Sequence, residues 1–332
     1  MKNTRKRTAL VGLATVLALG LAACTSSGGK QADEQQNDTK AGVANTPRLK
    51  IAMITHEAPG DTFWDIIRQG GEAAAAKDNV ELVYSNDPQA PKQASLIQVA
   101  IDSDVDGIAT TMPNPDALTP VIRKAVEAGI PVVEFNAGVS DWKDTGALMY
   151  FGQDESLAGE AVGERLNEEG IKKALCVVQE QGQVQLEARC AGVEKAFSGT
   201  TEKLYVNGRD MPSVLSNIQA KLAEDSAIDR VVTLGAPIAM TAVQAVEQAN
   251  SDAQVVTFDT NAELVGAIES GDVQWAVDQQ PYLQGYLAVD SLWLYLTNGN
   301  VIGGGQNVLT GPSFIDQDNI DTVAKYAKRG TR

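Results

Sequence analysis

From Arg48 onward, short apolar runs alternate with longer amphipathic stretches. That alternation is the pattern of a parallel sheet whose strands are joined by crossover helices. The apolar runs predict strands over 50–55, 80–85, 107–111, 131–135 and 149–152. A second series follows over 173–179, 202–206, 230–235, 254–258 and 273–278. Stretches with helical spacing fill the gaps, among them 62–77, 116–128, 157–167 and 238–250. The pattern predicts an α/β protein, and two series of strand–helix units predict two lobes of similar build.

An internal repeat supports the pairing of the two series. Asp104-Val-Asp-Gly-Ile leads through a helix to Pro131-Val-Val-Glu-Phe-Asn136. Ala227-Ile-Asp-Arg-Val leads through a helix to Gln254-Val-Val-Thr-Phe-Asp259. The steps from Asp106 to Asn136 and from Asp229 to Asp259 are equal. In an open parallel sheet the carboxyl ends of the strands line the ligand crevice. Asn136 and Asp259 are therefore expected to face one another across a cleft between lobes, the plainer alternative being that each caps its own turn.

Other polar and aromatic residues fall at strand exits. The segment from His56 to Trp64 follows the first strand, with Asp61 or Thr62 placed to cap the first helix. Phe63 and Trp64 open that helix. One of the two rings is expected in the core, and lone His56 is expected to bond either a ligand or a backbone carbonyl. Gln179, Glu180, Gln181 and Gln183 leave the sixth strand ahead of a helix carrying Glu187 and Arg189. These residues, Gln179, Glu187 and Arg189 above all, are expected to reach the same cleft and bind the ligand. Gln279 follows the strand over 273–278 just before Pro281. Aromatic faces beside Asp, Asn and Gln side chains suit a ligand with C–H faces and a hydroxyl rim, as a sugar has.

The N-terminus has a different character. Lys2, Arg5, Lys6 and Arg7 precede a mostly apolar run ending at Ala23. The layout is that of a secretory signal over 1–23, and the run is too short for a good membrane span. Leu21-Ala22-Ala23-Cys24 resembles the bacterial lipobox, which implies a lipid on Cys24 and a membrane-anchored, extracytoplasmic protein. Residues 24–47 are polar and without periodicity and predict a flexible tether.

The net charge is −16, and beyond residue 23 there are 23 basic against 43 acidic residues. Such a surface repels nucleic acid and anionic headgroups. Hydrophobic residues make up 43% and aromatics 5%, enough for aliphatic cores with few rings to spare. Cys176 and Cys190 remain after Cys24, either as a disulfide or as two buried thiols. Three residues of strand and seven of helix each cover about 10 Å, so the two could lie level.

A single histidine argues against a histidine metal site, and no metal spacing occurs. The chain lacks a dinucleotide fingerprint, a phosphate-loop lysine and a nucleophile elbow. No cofactor and no catalytic group are expected, and one copy of the chain is expected to act alone.

Several short markers occur together in order. They are Ile51-Ala-Met-Ile with Phe63-Trp64, Asp106-Gly-Ile, Ala128-Gly-Ile-Pro-Val-Val, Gly152-Gln-Asp with Gly159, Thr257-Phe-Asp259 and Asp278-Gln-Gln-Pro281. From about Leu49 to the C-terminus the chain resembles the ribose-type periplasmic sugar-binding proteins, the type I solute receptors of ABC importers. The resemblance implies two Rossmann-like lobes joined by three hinge crossovers around one sugar. The N-terminal lobe would be 49–152 plus 280–310, and the C-terminal lobe 153–279 plus 311–332. It implies ligand contacts from Asp61, Phe63, Trp64, Asn136, Asp259 and Gln279, and a membrane permease as partner.

The departures from the pattern are specific. Met112 replaces an asparagine, Ala137 an arginine, Glu187 a cleft arginine (with Arg189 two residues on) and Gly235 an asparagine. Ribose itself is therefore not expected; another pentose, a hexose, a polyol or a cyclitol is. The same fold also serves sensors that signal to a membrane kinase or chemoreceptor. An extracytoplasmic carbohydrate-active enzyme is a third reading, which no nucleophile–base set supports.

Overall fold

The computed structural model describes residues 43–332. The signal segment, Cys24 and most of the tether lie outside these residues. The last part of the expected tether is bonded to the body. Ala44 N donates to Lys77 O at 2.9 Å, and Thr46 receives bonds from Asn79 Nδ2 and Trp293 Nε1.

The first series comprises β1 (Leu49–Thr55), α1 (Thr62–Asp78), β2 (Val80–Asn86), α2 (Ala90–Asp102) and β3 (Gly107–Thr110). It continues with α3 (Pro115–Glu127), β4 (Val132–Phe135), the single turn α4 (Trp142–Thr145) and β5 (Met149–Gln153). The second comprises α5 (Glu155–Glu168), β6 (Lys173–Val178), α6 (Val184–Ala196), β7 (Thr200–Tyr205) and α7 (Met211–Glu224). It ends with β8 (Arg230–Thr233), α8 (Ala236–Ala249), β9 (Gln254–Phe258), α9 (Ala262–Ser270) and β10 (Val273–Asp278). The chain then runs through α10 (Pro281–Asn298), β11 (Val308–Gly311), β12 (Ser313–Asp316) and α11 (Asp321–Ala327).

Two six-stranded sheets result, ordered β11-β5-β4-β3-β1-β2 and β12-β10-β9-β8-β6-β7. The second order repeats the first, strand for strand. Each series contributes five parallel strands, and the sixth comes from the final return of the chain. β11 is parallel to β5, whereas β12 runs antiparallel to β10, because it re-enters the second sheet directly from β11. These two strands carry no strong apolar run, so the sequence pattern did not reveal them.

Both faces of each sheet are covered, which explains the unbroken apolar runs. In β1, Ile51 and Met53 enter one core while Ala52 and Ile54 enter the other. In β6, Leu175 and Val177 face one core; Ala174, Cys176 and Val178 face its opposite. Cys176 and Cys190 are joined as a disulfide, with their Cα atoms 6.0 Å apart, which pins α6 onto β6.

The repeat has a structural cause at each end. Asp106 Oδ2 accepts from Lys50 N at 2.7 Å, and Asp229 Oδ2 accepts from Lys173 N at 3.0 Å. Each aspartate thus ties the start of its lobe's first strand. At the other end, Asn136 and Asp259 adopt φ of 65° and 66°. Asn and Asp tolerate this left-handed conformation better than other residues bearing a Cβ. Asn136 N donates to Phe151 O at 2.9 Å and Asp259 N to Val277 O at 2.7 Å.

Two helix pairs approach to backbone contact. A Cβ on Gly70 would stand 2.0 Å from Tyr282 O, and one on Gly159 would stand 2.2 Å from Arg189 O. No helix among the described residues is long and apolar enough to cross a membrane.

Gly159→Ala is expected to force α5 off α6 and to destabilise the protein by about 2 kcal/mol. A circular-dichroism melt checks this, with a drop in Tm of roughly 5 °C.

Candidate functional site

The lobes meet around a cavity of about 110 Å³. Three chain crossovers, at Gln153–Asp154, Gln279–Gln280 and Gly311–Pro312, connect the two sheets. Away from them, Val184 N donates to Pro113 O at 3.0 Å and Asn261 Nδ2 to Thr62 Oγ1 at 3.2 Å.

The first lobe supplies His56, Asp61, Phe63, Trp64 and Asn136 to the cavity wall. Asp61 caps α1 by accepting from Phe63 N at 3.1 Å, which fixes the carboxylate and the two rings in one turn. Both rings are buried yet reach the wall, and they meet edge to face with centroids 5.3 Å apart. His56 packs against Trp64 at 4.6 Å. Its Nε2 accepts from Gln185 Nε2 at 3.0 Å, so Nδ1 carries the proton and donates to Thr111 Oγ1 at 2.7 Å. Burial lowers the pKa of His56 to about 3, which keeps it in this neutral form.

The second lobe supplies Gln179, Arg189 and Asp259, and Gln279 stands at the crossover. Gln279 joins the two halves. Its Oε1 accepts from Asn136 Nδ2 at 3.3 Å, and its Nε2 donates to Asp259 Oδ1 at 2.6 Å. Gln284 reinforces the link by accepting from Asn136 at 3.2 Å and donating to Gln279 Oε1 at 2.9 Å.

Glu187 is elsewhere. It accepts from Gly182 N and Tyr205 Oη on the outer side of α6, at 3.1 and 3.0 Å. Two residues further, about 200° round the helix, Arg189 points inward. Of the two residues expected at the cleft from this helix, Arg189 therefore stands in the cavity wall and Glu187 does not. Of the glutamines leaving β6, Gln179 and Gln183 line the cavity, and Gln181 is exposed outside it. Met112 is fully buried in the core behind the wall.

Arg189 is committed within the protein. Nε and Nη2 bind the two Glu155 oxygens at 2.7 and 3.0 Å, and Nη1 donates to Leu234 O at 3.0 Å and reaches Asp259 Oδ2 at 3.5 Å. Burial opposes its charge, but Glu155 and Asp259 outweigh that and hold it firmly protonated. Asp259 is served less well. Burial raises its pKa to about 7 against the pull of Arg189 and Gln279, and the charges of Glu155 and Asp61 add to the rise. Burial also raises Asp61, to about 6.

Sequence reasoning missed Gln185, Gln284 and Glu155. Gln185 and Glu155 sit on helices at positions where only the helical phase, not strand-exit placement, could have pointed to them. Gln179 Oε1, Gln185 Oε1 and Thr260 Oγ1 are buried at the wall without a protein partner. Among the described residues no group of three His, Cys, Asp or Glu side chains is placed to hold a metal ion.

Residues 51–300 match the periplasmic binding protein domain family. The chain belongs to that family. The structure of a carbohydrate transporter from Acidothermus cellulolyticus 11B in complex with myo-inositol is 62% identical. It covers 86% of this chain and 100% of that one, with a TM-score of 0.85. An ABC sugar transporter from Legionella pneumophila, a periplasmic sugar-binding protein, is 27% identical over 80% of this chain and 100% of its own, with a TM-score of 0.71. The xylose/arabinose-binding protein of Sulfolobus acidocaldarius is 24% identical, covering 84% of this chain and 73% of that protein.

The raised Asp259 fixes a sign for stability against pH. Its neutral form is favoured in the fold, so its contribution is fully present below about pH 4 and lost as pH rises through about 7. Asp259→Asn is expected to be more stable than the natural protein by about 2 kcal/mol at pH 8. The gain should vanish near pH 4, as paired urea titrations would read.

Proposed function

We propose that this protein is an extracytoplasmic solute receptor that closes its two lobes on one uncharged carbocyclic polyol, a cyclitol of the inositol type, and delivers it to an ABC permease. The observation that carries this reading is the hydrogen-bonding character of the wall. Its donors are spent on the protein itself: Arg189 on Glu155, Leu234 O and Asp259; Gln279 on Asp259; Asn136 on Gln279 and Gln284. Gln179 turns its NH₂ to Leu234 O at 3.3 Å, leaving its oxygen free.

What faces inward is mostly acceptors: Asp61, Asp259, Gln179 Oε1 and Gln185 Oε1, with the Thr260 hydroxyl. A pyranose brings a ring oxygen that only accepts, and of the unpartnered wall atoms the Thr260 hydroxyl alone is able to donate to it. A carbocycle brings hydroxyls at its rim, each able to donate, and C–H faces for Phe63 and Trp64. The myo-inositol held by the Acidothermus protein agrees with this choice.

In this reading the lobes are 49–152 with 280–310 and 153–279 with 311–332, turning about the three crossovers. Contacts from both lobes exist together only when the cleft is shut, so ligand favours the closed form. The signal over 1–23 directs export and is removed, the lipid on Cys24 holds the receptor at the outer face of the cell membrane, and the tether gives it reach. One copy contains the whole cavity and works as a monomer without a cofactor.

Calorimetry with myo-inositol should give one site per chain, with glucose and ribose much weaker. Asp259→Ala should weaken myo-inositol by about 2 kcal/mol, roughly 30-fold in Kd, by leaving ligand hydroxyls and Gln279 unpaired. A panel of cyclitols, polyols and sugars giving neither heat nor a melting shift would overturn the proposal.

A further inference from the structure

The charges around the cavity do not balance. Among the described residues Arg189 is the one arginine or lysine in the wall. Its charge is matched by Glu155, which grips it with both oxygens. Asp259 comes no nearer than 3.5 Å to the guanidinium. Asp61, from the opposite lobe, accepts from the Phe63 amide and the Trp64 side chain and has no basic group among the causes acting on its charge. Glu180, also in the wall, is paired to Arg209 at 3.1 Å. Two carboxylates from opposite lobes therefore line one cavity with no free cation beside them.

A second observation points the same way. Gln185 is 6% exposed and Thr260 1% exposed, and both end in wall oxygens without a protein partner. A hydroxyl satisfies one such acceptor and brings lone pairs of its own towards the carboxylates. An ammonium group brings three donors, no lone pair and a positive charge. Its desolvation on entry is offset where the buried Asp259 and the half-buried Asp61 receive it.

We propose that the cavity also takes amine-bearing carbocyclic polyols, inositols in which one hydroxyl is replaced by an amine, with the ammonium seated between Asp61 and Asp259. This rests on the carbocyclic reading above and extends it to a cationic ligand class. The same wall rejects phosphorylated or carboxylated polyols, whose charge would meet Asp61 and Asp259 without a free arginine.

The test is calorimetry on the full protein at pH 7.5, with myo-inositol, a set of monoamino-inositols differing in amine position, and an inositol monophosphate. At least one amino-inositol should bind tenfold or more tighter than myo-inositol, and the monophosphate should not bind. In Asp61→Asn and in Asp259→Asn, the affinity ratio of that amino-inositol to myo-inositol should fall at least tenfold, whatever happens to each affinity alone. Myo-inositol binding with every amino-inositol weaker overturns the cationic proposal and leaves the carbocyclic one standing. A ratio unchanged in both variants overturns the ammonium's placement. No binding by any of these compounds removes both readings.

Discussion

The chain of bonds Asn136–Gln279–Asp259 holds the two halves of the molecule to one another through their interiors. Its outer members end equivalent strands of the repeat, and its centre lies on a crossover. Each link depends on its neighbour for orientation. An acceptor at Asp259 forces the Gln279 amide to offer its NH₂ there, which turns its oxygen to Asn136. Gln284 closes the set by bonding both Gln279 and Asn136. The cavity wall is therefore built from side chains already ordered by the protein, so a ligand need not pay to arrange them.

Much of the architecture was legible because it rests on local rules. Unbroken apolar runs betray strands buried on both faces, and the equal spacing of Asp106 to Asn136 and Asp229 to Asp259 reflects two pins and two left-handed turns. The cavity residues at strand exits were legible for the same reason. What escaped was set at long range or by helical phase. β11 and β12 are ordered by the sheets they join, not by their own composition. Glu187 and Arg189 differ by two positions, which on a helix is the difference between the solvent side and the cavity. Glu155 and Gln185 matter because of partners 34 and 129 residues away in the chain.

Electrostatics shape the site as much as its rings do. Burying Arg189 costs free energy that Glu155 and the Leu234 carbonyl offset, and the arrangement leaves the guanidinium with little to offer a guest. His56, which might have supplied a charge, is held neutral by burial and used as an acceptor for Gln185. The wall is thus poor in donors by construction, although it contains an arginine, a histidine and five amide side chains.

The backbone contact between Gly159 and the Arg189 carbonyl makes α5 and α6 one solid piece, which begins just beyond the crossover at Gln153–Asp154. Glu155 and Arg189 both ride on that piece. In the lobe opening proposed above, the ion pair would travel as a unit and be uncovered without being broken. Its attraction would therefore add nothing to the barrier against that opening, and the resistance would fall on the weaker amide links between the lobes.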